Sequence, residues 1–152
     1  MISVETHLDI ARPASEVFAF VSDQTNAPRW QKGLHEVRRL TDGPIGVGTE
    51  HAFVRRFAGR PIESRNRFTA YDEARRFVEF EIPEGSMTGM ARYAVEPTGD
   101  ATCRLTSRMD FRVSGPLRLA TPFLARLLRR DSERDEATLK RLLEERAVGS
   151  SG

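Results

Sequence analysis

The chain has 152 residues, enough for one domain with a single sizeable core. With 24 basic against 22 acidic residues its net charge is +2, too balanced for a nucleic-acid partner, and no apolar run approaches the ~20 residues that a membrane-spanning helix needs. Cys103 is the only cysteine, which excludes an internal disulfide framework, and the first residues lack the basic and apolar regions of a secretory signal, so a cytoplasmic location is expected.

Ile2, Val4, Thr6, Leu8 and Ile10 alternate with polar neighbours, which predicts a half-buried strand. Pro13 suits a first helical turn, and Val17, Phe18 and Val21 share one face of a short helix over about residues 13–22. Asn26 and Pro28 mark a turn or one further helical turn before Trp30. Strand patterns then follow at about 34–41, 47–57, 61–71, 75–82, 86–97 and 101–113, separated by short turns such as Asp42-Gly43-Pro44 and Pro83-Glu84-Gly85. Connections this short predict a meander of antiparallel hairpins. In the last strand Cys103, Leu105, Ser107, Met109 and Phe111 face one way; in the one before it the inner set is Met87, Gly89, Ala91, Tyr93 and Val95.

From about 116 to 146 the sequence is rich in helix formers, with Leu117, Leu124, Leu128, Leu139 and Leu142 near one face. Pro122 is expected to kink or delay this helix, and the charged run 129–136 is expected to be wet. The pattern predicts an α+β fold: a curved antiparallel sheet of about seven strands wrapped around a long C-terminal helix, with two short helices after the first strand. One domain over 1–147 and a flexible tail over 148–152 are expected. The concave face is the place for an apolar cavity.

Three stretches carry a family likeness: Ile10 to Asp23 closed by Pro28-Arg29-Trp30; Gly46-Val47-Gly48-Thr49 with Phe57-Ala58-Gly59-Arg60-Pro61-Ile62-Glu63; and Tyr93-Ala94-Val95-Glu96-Pro97 leading into Asp100-Ala101-Thr102. The chain resembles the SRPBCC superfamily of START-like, helix-grip proteins, and within it the polyketide cyclase/dehydrase-like group, over about residues 2–145. The resemblance implies a hydrophobic cavity between sheet and helix. Members bind lipids, sterols, polyketides or other apolar molecules, and some catalyse cyclisation or dehydration. It supplies no catalytic motif that can be carried onto particular residues.

His51 and Arg55 are the candidates for chemistry. They share strand parity with Phe53 and Phe57, so all four point inward if the phenylalanines do. An imidazole there can orient or protonate a carbonyl, and a guanidinium can pair with a carboxylate; the plain alternatives are a hydrogen-bonded histidine at the cavity mouth and a solvated edge-strand arginine. Ser64 and Asn66 share parity with Ile62 and Phe68 and offer polar contacts in an apolar cavity, or ordinary internal hydrogen bonds. Trp30 caps one end of the core and can touch ligand. Phe80, Met87, Tyr93, Ser107, Met109 and Phe111 complete the lining from the strands, with Leu124 and Leu128 from the helix; plain core is the rival reading. Glu79 and Glu81 fall on the outer parity.

His7, His35 and His51 lack metal-ligand spacing, there is no Gly-rich phosphate loop and no G-x-S-x-G turn, so neither metal nor cofactor is expected. Cys103 reads as an inert buried thiol. Arg55, Arg56, Arg65, Arg67, Arg75 and Arg76, with Arg126, Arg129, Arg130 and Arg134 on the helix, allow weak attraction to an anionic membrane. The leading expectation is a binder or carrier of a small hydrophobic molecule of lipid, polyketide or aromatic type, monomeric or homodimeric. The alternatives are a cofactor-independent polyketide cyclase/dehydratase and a protein-interaction module with a vestigial cavity.

Overall fold

Strand β1 (Ile2–Ile10) opens the chain in the computed structural model, which describes residues 1–57, 59–85 and 87–150. Its period-two pattern buries Ile2, Val4, Thr6 and Ile10 on one face. Helix α1 (Ala14–Ser22) follows, with Val17, Phe18 and Val21 buried as the spacing predicts. Pro13 sits one residue before the helix, in extended conformation, and its carbonyl accepts from the Glu16 and Val17 amides at 3.1 and 3.2 Å. A 3₁₀ turn, Gln24–Arg29, is capped by the Asp23 carboxylate, which accepts from the Thr25 amide at 3.1 Å.

The remaining strands are β2 (Leu34–Arg39), β3 (Glu50–Phe57), β4 (Arg60–Asp72), β5 (Phe77–Ile82), β6 (Met87–Gly99) and β7 (Thr102–Val113). Among the described residues they form one sheet with β1, in the order β1-β7-β6-β5-β4-β3-β2. Every pairing is antiparallel, so the predicted meander is present and β1 closes it against β7. Register shifts in β2, β4 and β6 mark irregularities of the kind that bend a sheet. Gly89 meets Phe111 across β6–β7 at φ +154°, where a Cβ would come within 2.0 Å of the Asp110 carbonyl oxygen. Only glycine fits there.

Helix α2 (Thr121–Ser150) lies over β1 after a 3₁₀ segment, Gly115–Ala120. Pro122 falls in its first turn, where a missing N–H costs nothing, so it delays the helix. Leu124 packs on Ile2 and Val4, while Leu139 and Leu143 reach the main core with α1 and the aromatic strand residues. The helix runs three residues into the stretch expected as a tail; residues 151–152 lie outside the described residues.

One expectation for α2 fails. The charged run 129–136 is not uniformly wet: Asp135 and Glu136 are 9% and 6% exposed. They share the helix face of Leu139 and Leu143 at i+3 to i+8 spacing, so burying those leucines carries both carboxyls inward.

Candidate functional site

Antiparallel register places Arg39 of β2 opposite His51 of β3, and His51 opposite Asn66 of β4, so the three form one cross-strand row. His51 is fully buried and Asn66 is 4% exposed. Among the described residues, the buried side-chain polar atoms without a hydrogen-bond partner all belong to this row: Arg39 Nε, both ring nitrogens of His51, and Asn66 Oδ1. Folded interiors rarely leave such atoms unpaired. Burial holds the His51 pKa below its ordinary value; the nearby Asn66 amide opposes this, though it makes no well-formed bond, and the Arg39 charge lowers the pKa further. At neutral pH the ring is therefore uncharged, with one nitrogen a donor and the other an acceptor.

From His51 a ladder of rings crosses the concave face. His51 lies 5.5 Å from Phe68, Phe68 6.0 Å from Phe80, Phe80 6.0 Å from Tyr93, and Tyr93 6.3 Å from Trp30 between centroids. Aromatic side chains from four strands thus line the concave face where the apolar cavity is expected. An open volume of about 450 Å³ lies at the rim, lined by Pro28, Lys32, Gly33, Leu34, His35, Arg56, Asp131 and Arg134.

Arg55 occupies this rim end of β3. Its side chain is open to solvent, stacks over Phe53 at 5.6 Å, and donates to Gln31 Oε1 at 3.3 Å. Protein around it still lowers its pKa through burial, opposed by the nearby carboxylates of Asp135 and Asp131. Burial, with Glu136 and Asp135 nearby, pushes the Tyr93 hydroxyl far up, so it stays protonated. Asp135 accepts from the Lys32 amide at 3.3 Å, and burial raises its carboxyl.

Thr6, Ser107 and Tyr93 are register partners on β1, β7 and β6. Glu136 drops onto this row from α2: Thr6 Oγ1 donates to its Oε1, and the Ser107 hydroxyl lies nearby. Burial raises the Glu136 carboxyl despite both hydroxyls, which favour its charged form. The concave face therefore carries a neutral imidazole at one end and two carboxyls with raised pKa near the other.

The residues expected to line a pocket divide among three places. Trp30, His51, Phe53, Asn66, Phe68, Phe80, Tyr93 and Ser107 lie buried along the ladder or beside it, with Arg55 at the rim and Ser64 half-buried. Leu124 and half-buried Leu128 pack on Ile2 and Val4 in a separate cluster, joined to the main core through Met109. Phe111 is buried opposite Gly89, and Met87 is half-buried opposite Val113, beyond the ladder. The side chain of Phe57 lies outside the described residues. Cys103 is fully buried with its thiol pushed up by burial, as expected of an inert group.

Sequence reading missed Arg39, Gln31, Asp135 and Glu136. The spacing of Asp135 and Glu136 to Leu139 and Leu143 was a usable signal. Arg39 carried none, because its place beside His51 depends on the β2–β3 register across a ten-residue loop, 40–49.

Residues 1–144 match the family described as "Polyketide cyclase / dehydrase and lipid transport". No curated protein matches the chain closely enough to count as a relative. Among solved structures, the chain is similar to a START superfamily protein from Mycobacterium smegmatis, at 18% identity over 95% of this chain and 99% of that one, with a TM-score of 0.80. It is also similar to the Zhui aromatase/cyclase from Streptomyces, at 19% identity over 95% and 94% with a TM-score of 0.77. The di-domain ARO/CYC BexL matches at 22% identity over 95% of this chain but 47% of that one, TM-score 0.77, so the chain spans about half its length. At these identities the likeness shows the START-like helix-grip fold.

Proposed function

The chain belongs to the polyketide cyclase/dehydrase and lipid transport family, and on that premise we propose that it binds a small apolar molecule bearing carbonyl or hydroxyl oxygens, laid along β3 on the concave face. The observation that carries this reading is the row of unpartnered buried polar atoms at Arg39, His51 and Asn66. Together they offer guanidinium and imidazole N–H donors and imidazole and amide acceptors. A ligand edge with adjacent carbonyl and hydroxyl groups satisfies that set, whereas a bare hydrocarbon leaves it unpaired. Arg55 stands four residues along the same strand, about 13 Å away at strand rise, and meets a second oxygen or a carboxylate at the rim. The apolar body between them rests on Phe53 and the ring ladder, and entry is from the rim volume.

Intrinsic fluorescence tests this. Trp30 is the only tryptophan and sits at one end of the ladder, 6.3 Å from Tyr93. Titration with a fused-ring aromatic ketone should quench it saturably, and Arg55→Ala should weaken binding roughly tenfold, as loss of a charge-assisted hydrogen bond of ~1.5 kcal/mol does. No saturable change with ketones, phenols or fatty acids would remove the reading.

A second reading, acid–base catalysis of cyclisation or dehydration, is favoured by one observation: the face holds an uncharged imidazole as well as the carboxyls of Asp135 and Glu136, whose pKa values are raised. Such a reaction needs a base and an acid poised in their working protonation states. Turnover of a bound poly-ketone that is abolished in His51→Phe would favour it; binding with unchanged product spectrum would leave the carrier reading alone.

A further inference from the structure

The junction between the 3₁₀ segment and α2 turns two large apolar side chains outward: Leu119 is 87% exposed and Phe123 is 68% exposed. Single exposed apolar residues are ordinary; these two stand four residues apart at one end of the molecule. Arg118 adjoins Leu119, and Arg126 and Arg130 follow Phe123 at i+3 and i+7, on its helix face, with Arg129 at the flank; all four arginines are exposed. From Phe111 to Arg130 the sequence holds five arginines and no acidic residue. On the outer sheet, Arg67, Arg92, Arg104 and Arg108 are matched by Glu81, Glu79, Asp9 and Asp110. Among the described residues, Arg118, Arg126, Arg129 and Arg130 enter no ion pair.

We propose that this face docks onto an anionic lipid bilayer, with Leu119 and Phe123 entering the interface and the arginines meeting the headgroup phosphates. The opposite face of the same turn is fixed, since Leu124 packs on Ile2 and Val4, so the pair projects from a rigid base. A second copy of the chain fits less well: a two-fold contact through this face sets the same unneutralised arginines against each other. A protruding apolar pair ringed by cations is the pattern of an interfacial anchor, in which apolar insertion and charge attraction add. The inference stands apart from the ligand reading, because no residue in it touches the ring ladder.

The test is co-sedimentation of the full chain with phosphatidylglycerol/phosphatidylcholine vesicles and with phosphatidylcholine alone, from low to physiological salt. The expected result is binding to the anionic vesicles that falls with salt and is near baseline on neutral ones. Arg126→Gln and Arg130→Gln should each lower the partition coefficient about fivefold, and L119S combined with F123S should remove binding. All four positions are exposed, so melting temperatures should not move. Absence of binding to anionic vesicles at low salt overturns the proposal, as does binding undiminished by L119S/F123S. A solution dimer that L119S/F123S converts to monomer, without vesicle binding by either form, overturns it in favour of self-association.

Discussion

His51 is held uncharged mainly by burial, and its nitrogens have no partner within the protein. A group in that state costs stability: leaving a buried polar atom unpaired is worth about 1–3 kcal/mol against an apolar residue of the same shape. His51→Phe and Asn66→Leu should therefore stabilise the ligand-free protein by about 1 kcal/mol each, a melting shift of ~2–4 °C, while lowering ligand affinity. Stability gained as binding is lost marks a residue kept for function; loss of both would mark a structural one. The pH dependence follows from the same group. Its folded pKa lies below the ordinary 6.5, so its contribution is present above that value and is lost as pH falls through the folded pKa. Melting curves from pH 8 to pH 5 should show the wild type losing ground to His51→Phe as the pH drops; a constant difference would contradict the assignment of a neutral buried ring.

Helix α2 is held by a few deep contacts. Leu139 is fully buried in the main core, so Leu139→Ala should cost about 2–5 kcal/mol in chemical denaturation. Glu136 acts in the opposite pH sense to His51. Its folded pKa is raised above 4.5 by burial, so its contribution is present at low pH and is lost as pH rises through the folded pKa. Glu136→Gln should gain on the wild type between pH 4 and pH 8, and a difference independent of pH would contradict a buried carboxyl with raised pKa. In the sheet, Gly89→Ala should be among the most damaging single changes, because its Cβ meets backbone rather than a movable side chain. The element order was legible from alternation, turn residues and the leucine spacing, since these depend on local periodicity. Asp135 and Glu136 were misread because charge counted for more than helix face, although Leu139 and Leu143 fix that face.

At the scale of the molecule, the curved sheet, α1 and α2 enclose a ladder of rings with polar groups at both ends. The inward parity of His51, Asn66, Tyr93 and Ser107 was readable, because one buried face imposes strict period two on each strand. The pairing of Arg39 with His51, and the drop of Glu136 onto Thr6 and Ser107, were not, because register and helix placement are set by tertiary packing. Family membership places the chain among proteins described by cyclase, dehydrase and lipid transport roles. In this chain polar groups gather about β3, with Arg39, His51 and Asn66 in one cross-strand row and Arg55 four residues along the strand. The most direct measurement is a Trp30 fluorescence titration of the wild type, His51→Phe and Asn66→Leu with a fused-ring aromatic ketone, run beside thermal melts of the same proteins. Saturable quenching in the wild type, weakened at least tenfold in variants that melt no lower, is the predicted result. Equal quenching in all three proteins, or none in any, would contradict the account.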